Sequence, residues 1–126
     1  MSQYLMHPTY ATYALQQLVA DKQILVVVER APERRMIMQD LLAVIPEDFP
    51  VEARWGNGAE SIRMPHRRGM GRITIMRSDP YALRGHVADL AMLPPGVGKD
   101  FEYELGPVLI SRSGSIEFYS RDAPRP

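Results

Sequence analysis

The sequence predicts a three-layer α/β sandwich whose sheet is mostly parallel and carries a β-hairpin insertion. The clearest sign is the unbroken apolar run at residues 24–28, because a strand without alternation is typical of a parallel sheet covered on both faces. Two further short strands are predicted at residues 72–77 and 87–93, and segments with helical apolar spacing alternate with the strands. The 126 residues suffice for one domain with one core.

Before the hairpin, the chain alternates between helix and strand. Residues 3–6 are a candidate first strand, and the sequence leaves open whether that strand lies at the centre of the sheet. Residues 10–20 carry a helical apolar stripe. Pro32 suits the first turn of a second helix, which continues to Pro46 with its apolar side chains on one face. This second helix is therefore expected to pack on the sheet.

The second half is predicted to contain the hairpin, another helix and a last strand. Residues 51–55 and 59–64 flank Asn57-Gly58, a pair that favours the tight turn of a β-hairpin, and a basic loop follows at residues 65–71. Residues 100–110 are predicted to form a helix that is weakened or split at Gly106-Pro107. A final strand at residues 115–119 precedes a loose tail at residues 121–126.

The charges are balanced overall but not along the chain. Lys and Arg together number 15, as do Asp and Glu, so the net charge of zero by itself predicts no polyanionic partner. Residues 54–84 nevertheless contain seven arginines against Glu60 and Asp79, an excess of five positive charges. These arginines are Arg54, Arg63, Arg67, Arg68, Arg72, Arg77 and Arg84. The basic middle of the chain is the feature of the composition that needs an explanation.

The composition argues against a membrane protein and against a metal site. No apolar run approaches the roughly 20 residues that span a bilayer, and the first residues lack the features of a signal peptide, so we expect a cytoplasmic protein. The absence of cysteine excludes disulfides and thiolate metal ligands. His7, His66 and His86 lack the spacing of a metal motif, so neither a metal nor another cofactor is expected.

The order of elements resembles a known family. A helix at residues 9–20 followed by the strand Gln23-Ile-Leu-Val-Val-Val-Glu29 looks like the helix after a nucleotide-binding loop and the strand behind it. Arg84-Gly85 and Asp89, set between two apolar strands, look like the approach to an acidic motif. The whole resembles the ATPase core of phage terminase large subunits and related helicase-like P-loop proteins. The resemblance implies a P-loop-like sheet and a phage-type protein in the cytoplasm of the host cell.

The residues that this family uses for catalysis are missing at the matching positions. A phosphate-binding loop needs glycines, so that backbone N–H groups can surround the phosphates, and a lysine. Residues 7–13 contain neither, and Pro8 has no N–H. Pro94-Pro95 stand where the family has the Asp-Glu pair that handles magnesium. The resemblance therefore implies a degenerate member that is not an enzyme.

The arginine-rich middle is the main candidate site, for a nucleic acid. Arginines and flexible glycines can follow a phosphate backbone, and Trp55 or Tyr81 is available to stack a base. The candidate nucleic-acid-binding residues are Arg63, His66, Arg67, Arg68, Arg72 and Arg84. The alternative interpretation is an ordinary charged loop that nearby acids such as Asp79 neutralise.

Three functions follow from these observations. The first is a non-catalytic protein that binds a protein partner or assembles with itself as a homo-oligomer. The second is a nucleic-acid-binding module that uses the basic loop. The third is an enzyme with a rebuilt site at His86 and Asp89, although positions three residues apart in a strand point to opposite faces of a sheet.

Overall fold

The computed structural model describes residues 4–56, 60–65 and 71–124. Eleven elements are present in this part of the chain. They are α1 (Pro8–Val19), β1 (Gln23–Val28), α2 (Glu33–Ala43), β2 (Glu52–Arg54), β3 (Ser61–Arg63), β4 (Arg72–Arg77), a 3-10 helix (Pro80–Leu83), β5 (Leu90–Leu93), α3 (Lys99–Glu104), α4 (Gly106–Ile110) and β6 (Ser115–Phe118).

The six strands form one mixed sheet in the order β2-β3-β4-β1-β5-β6. Four strands, β4, β1, β5 and β6, are parallel neighbours, and we call them the parallel part. The strands β2, β3 and β4 pair antiparallel, and we call them the antiparallel part. The structure thus confirms an α/β fold with a mostly parallel sheet, and β2 and β3 pair as the predicted hairpin requires.

Two apolar cores lie on opposite faces of the sheet. Ile24, Val26 and Val28 of β1 point into the first core, which α1 and α2 cover. Leu25 and Val27 point into the second core, which the 3-10 helix, α3 and α4 cover. The unbroken apolar run of β1 therefore has the cause that the sequence indicated, because both of its faces are buried.

The first helix begins at Pro8, two residues earlier than predicted, and its end is tied to β4. Asp21 follows α1 with a positive φ of 64°, and its Oδ1 accepts the N–H of Gly71 at 2.7 Å. A Cβ at Gly71 would lie 3.0 Å from the carbonyl oxygen of Leu18, so the close approach favours glycine there. This contact positions the start of β4 beside the end of α1.

The described residues of the candidate strand at residues 3–6 are not part of the sheet. Residue 3 lies outside the described part of the chain, and residues 4–6 have no strand structure. The N–H groups of Leu5 and Met6 instead donate to Asp40 Oδ2 of α2, at 2.9 and 3.0 Å. Burial raises the pKa of Asp40, and these two hydrogen bonds act in the opposite direction. These two N–H groups therefore bond to a side chain of α2 and not to a neighbouring strand.

The C-terminal half departs from the prediction in one boundary. Pro107 lacks an N–H, and the predicted helix at residues 100–110 is split into α3 and α4 at this point, as expected. The strand predicted at residues 87–93 begins only at Leu90. The N–H of Ala88 donates to Val108 in α4, and this contact holds the chain outside the strand ladder.

Candidate functional site

The predicted basic site divides into three groups of residues. His66, Arg67 and Arg68 lie outside the residues that the structure describes. Arg63 and Arg72 are cross-strand partners in the β3-β4 pair. Arg84 follows the 3-10 helix, where its guanidinium carbon lies 5.2 Å from the centroid of the Tyr81 ring. The structure therefore brings Arg63 and Arg72 together and places Arg84 in another surface, described below.

Arg63 and Arg72 belong to a polar face of the antiparallel part. Cross-strand partners point to the same side of a sheet. Two rows of partners lie on this side: Glu52, Arg63 and Arg72 in one, and Arg54, Ser61 and Thr74 in the next. The positions between them, Ala53, Ile62 and Ile73, pack into the first core. We call the six residues of the two rows the open face.

The second core does not extend to the open face. Among the described residues, Met76 is the only member of that core from β2, β3 or β4. Arg54 and Arg72 are exposed, and the other four residues of the open face are half-buried. The antiparallel part is thus covered on one side only, an arrangement that antiparallel sheets commonly adopt.

One carboxylate lies among the three arginines of the open face. Glu52 Oε1 is 3.0 Å from Arg63 Nη2 and 4.0 Å from Arg54 Nη2. Such exposed ion pairs contribute about 0–1 kcal/mol to stability. Within residues 4–56, 60–65 and 71–124, no carboxylate is close enough to form an ion pair with Arg72. The open face therefore keeps an excess of two positive charges.

The two aromatic residues proposed for base stacking have other contacts. The guanidinium carbon of Arg35, in α2, lies 5.6 Å from the centroid of the Trp55 ring. Because α2 covers the first core, Trp55 lies on the side of the sheet opposite to the open face. Tyr81 is 74% exposed and carries Arg84 against its ring.

Within the described part of the chain, His86 and Asp89 share no hydrogen bond or ion pair. Asp89 Oδ2 accepts the N–H of Gln23 at 2.7 Å and lies 3.6 Å from Arg112 Nη1. These contacts hold Asp89 next to the beginning of β1 and β5. Its carboxylate accepts the N–H of the first residue of β1. His86 is exposed in the loop before β5. The arrangement favours the structural role of Asp89.

The start of α1 leaves no amide donor for a phosphate. Pro8 has no N–H, and the Thr9 N–H donates to His7 Nδ1 at 3.1 Å. The N–H groups of Tyr10 and Ala11 donate to the His7 carbonyl oxygen. Anion binding at a helix start depends on free N–H groups, so this helix start does not fit a nucleotide phosphate.

Pro94 changes the hydrogen bonding where the parallel strands end. The pairing of β1 with β5 stops at Val26 and Met92, and the next rung would join the Val27 carbonyl to the amide of residue 94. Proline has no such N–H. The hydroxyl of Tyr119 donates to the Val27 carbonyl instead, at 2.6 Å. Pro94, which the predicted resemblance placed at an acidic motif, thus ends the pairing of β1 with β5.

An acidic cleft of about 270 Å³ lies at this edge of the sheet. The charged side chains that line it are Glu29, Glu33, Arg121 and Asp122. Burial raises the pKa of Tyr119 above its usual value, and Glu33 and Glu29 raise it further, so its phenol stays protonated. Three carboxylates against one guanidinium disfavour a bound phosphate chain.

A second surface, lined by exposed aromatic and apolar side chains, follows α4. One end is a cleft of about 600 Å³ and the other a cleft of about 410 Å³, and both are lined by Glu104 and Pro107. The first end contains Glu102, Tyr103 and Ile110, and the second contains Tyr81, Arg84 and His86. We call these residues together the aromatic groove. Three of its apolar or aromatic side chains are well exposed: Tyr81 at 74%, Tyr103 at 83% and Ile110 at 78%.

Sequence analysis did not identify most residues of these two surfaces as site residues. The polar-apolar-polar alternation at residues 52–54 and 61–63 was the available signal for the open face. No comparable signal marked Tyr103 and Ile110. Both fell within a predicted helix, and which side of that helix is exposed depends on how the helix packs on the sheet.

Comparison with known proteins found no match among family models, curated proteins or solved structures. In the part of the chain that the structure describes, no group of three His, Asp or Glu side chains is arranged to hold a metal ion. No helix there has the length and apolar character that crossing a bilayer requires. The relationship to terminases stays a prediction.

Proposed function

We propose that this chain is a non-catalytic, phage-type protein on a degenerate P-loop-like scaffold, and that it acts in the cytoplasm by associating with a second copy of itself through the aromatic groove. The observation that carries the proposal is the exposure of Tyr103 and Ile110, 83% and 78%, beside a cleft of about 600 Å³. Clustered exposed apolar side chains mark interaction surfaces, and a few aromatic anchors supply most of the energy of an interface.

Two features of the sheet edge support the non-catalytic part of the proposal. The start of α1 has its amides bonded to His7, and the cleft at the ends of the strands is acidic. Phosphoryl transfer needs a cradle of donors and cations around the phosphates. Neither feature supplies one.

The charges of the aromatic groove are self-complementary. Glu102 lies at one end of the groove, and Arg84 lies at the other. In a dimer with twofold symmetry each end meets the opposite end of the second copy, so Arg84 faces Glu102 of that copy. The net charge of zero adds no overall repulsion between two copies. These properties favour self-association over a partner of unrelated charge.

Light scattering on a size-exclusion column, over a range of loading concentrations, tests this proposal. We expect a dimer that Ile110→Asp converts to a monomer, because the substitution buries a charge in the interface. Met36→Asp is the matched control: Met36 is 40% exposed on α2, away from the groove, so this variant should remain dimeric. A wild-type chain that stays monomeric at the highest soluble concentration would rule out self-association.

A charge exchange sharpens the test. Arg84→Glu should weaken the dimer, since it places two acids against each other across the twofold axis. Combining Arg84→Glu with Glu102→Arg should restore it. If the double variant is as weak as the single one, the two ends of the groove do not meet.

A further inference from the structure

We propose that the open face binds the phosphate backbone of a nucleic acid and reads no base. The inference is independent of the self-association proposed above, because the open face and the aromatic groove share no residue. The open face offers three guanidinium groups against one carboxylate, with the hydroxyls of Ser61 and Thr74 in the second row. One guanidinium group can donate two hydrogen bonds to the oxygens of one phosphate, and hydroxyl groups are additional donors.

The arrangement of the arginines fits a short stretch of backbone. Arg63 and Arg72 are direct cross-strand neighbours, and Arg54 lies on the next strand, two positions along. Strands are about 4.8 Å apart and alternate residues about 7 Å apart, so the three cations span roughly 10–12 Å. One strand of a duplex rises about 3.4 Å along the helix axis per phosphate, so a span of this length is of the order of three phosphates. The register of the sheet thus positions three cations that are far apart in the sequence.

The open face has unused capacity for an anion. Arg72 is exposed and has no acidic partner in the described chain. The side chains of Arg54 and Arg63 are 67% and 42% exposed, so a phosphate can reach both guanidinium groups. Glu52 neutralises part of Arg63 and Arg54, at 3.0 and 4.0 Å, and competes with any bound phosphate for these two groups. Glu52 is therefore expected to weaken the binding of a polyanion.

The open face has no aromatic side chain on which a base could stack. Base stacking on aromatic rings supplies much of the affinity of single-strand binders. None of the six residues of the open face is aromatic, and Trp55 lies with Arg35 on the other side of the sheet. Binding through phosphates alone depends steeply on salt and is insensitive to sequence.

The first test measures fluorescence anisotropy of the full chain with labelled 20-nucleotide DNA: oligo-dT, a mixed-sequence single strand and its duplex. We expect all three to bind at low salt. Three phosphate contacts predict a slope of about −2 in log affinity against log salt for the single strands, a loss of about 20-fold between 50 and 200 mM. No binding at low salt by a folded chain would overturn the proposal. A more than tenfold preference between the two single strands would overturn the claim that no base is read.

Three variants test the site itself. Arg72→Ala should weaken binding several-fold and reduce the salt slope by about 0.7. Arg77→Ala is the matched control, because Arg77 is an exposed arginine of the same strand that points to the opposite side. Glu52→Gln should strengthen binding several-fold, an effect that a purely structural role would not produce. Equal losses in Arg72→Ala and Arg77→Ala, or weaker binding in Glu52→Gln, would place the nucleic acid elsewhere.

Discussion

The parallel and the antiparallel part of this sheet differ in how many of their faces are buried. Five of the six residues of β1 are buried, whereas Ile62 is the one buried residue of β3. Parallel strands need long connections that lay helices over both faces, but a hairpin connection brings no helix with it. The strand β4 belongs to both parts: burial alternates from Arg72 to Ile75, and Ile75 and Met76 are then both buried.

Because of this difference in burial, we expect the parallel part to determine stability and the open face to be available for binding. Residues of the parallel part are enclosed, so their substitution acts mainly on the free energy of unfolding. The open face tolerates three arginines because water reaches them. Charges can therefore accumulate on the antiparallel part at little cost to the fold.

The largest expected effect is a contrast between two adjacent residues of β4. Ile75 is fully buried in the first core, so Ile75→Ala should lower the free energy of unfolding by about 2–5 kcal/mol. Thr74 lies on the open face, and Thr74→Ala should change it by about 0.5 kcal/mol or less. Urea denaturation monitored by circular dichroism measures both. Similar losses in the two variants would mean that the open face is covered.

A smaller effect on the free energy of unfolding is expected at Tyr119, whose hydroxyl donates the hydrogen bond that the backbone of residue 94 cannot donate. Tyr119→Phe leaves the Val27 carbonyl without its donor and should cost about 1–3 kcal/mol. Pro94→Ala returns an N–H to the position where the ladder would continue. In the Pro94→Ala background, Tyr119→Phe should therefore cost less, and a double-mutant cycle in urea measures the coupling. Additive effects would contradict this explanation of the contact.

The same hydroxyl predicts a dependence on alkaline pH. The pKa of Tyr119 is raised, so the folded chain keeps the proton while the unfolded chain loses it near the ordinary value of 10.0. The stability that wild type has over Tyr119→Phe should shrink as pH rises above 10. A constant difference would indicate that the phenol is solvated.

Asp40 offers a smaller effect at acidic pH, on the covered side of the sheet. Burial raises its pKa, so the folded chain binds the proton more tightly than the unfolded chain, whose value is near 3.8. Relative to Asp40→Asn, wild type should lose stability as pH rises from below 3.8 towards neutrality. Urea titrations at several pH values measure this trend. The opposite trend would show that the hydrogen bonds from Leu5 and Met6 outweigh burial.

The smallest effect on stability is expected on the open face. Glu52→Gln removes ion pairs whose members are 41–67% exposed, so the free energy of unfolding should change by about 0.5 kcal/mol or less. Thermal denaturation of this variant and of Arg72→Ala measures the change. A loss above about 1 kcal/mol would show that the open face contributes to the fold and is not mainly a binding surface.

Local features of the sequence predicted much of the fold. The run at residues 24–28 identified a strand buried on both faces, and Gly106-Pro107 marked the division between α3 and α4. The candidate strand at residues 3–6 was wrong for its described residues, 4–6, because the amides of Leu5 and Met6 bond to Asp40, a partner more than 30 residues away. The start of β5 was misplaced for the same reason, since Val108 in α4 binds the N–H of Ala88.

By itself, the sequence determined the fold class, most element types and the basic character of the middle of the chain. These properties depend on neighbouring residues, through apolar periodicity, prolines and glycines. Only the tertiary structure decided that Arg63 lies between Glu52 and Arg72, that Arg84 belongs to another surface, and that Tyr119 reaches Val27 across 92 residues. Strand register and the covering of each sheet face create these contacts, and both depend on segments that are distant along the chain.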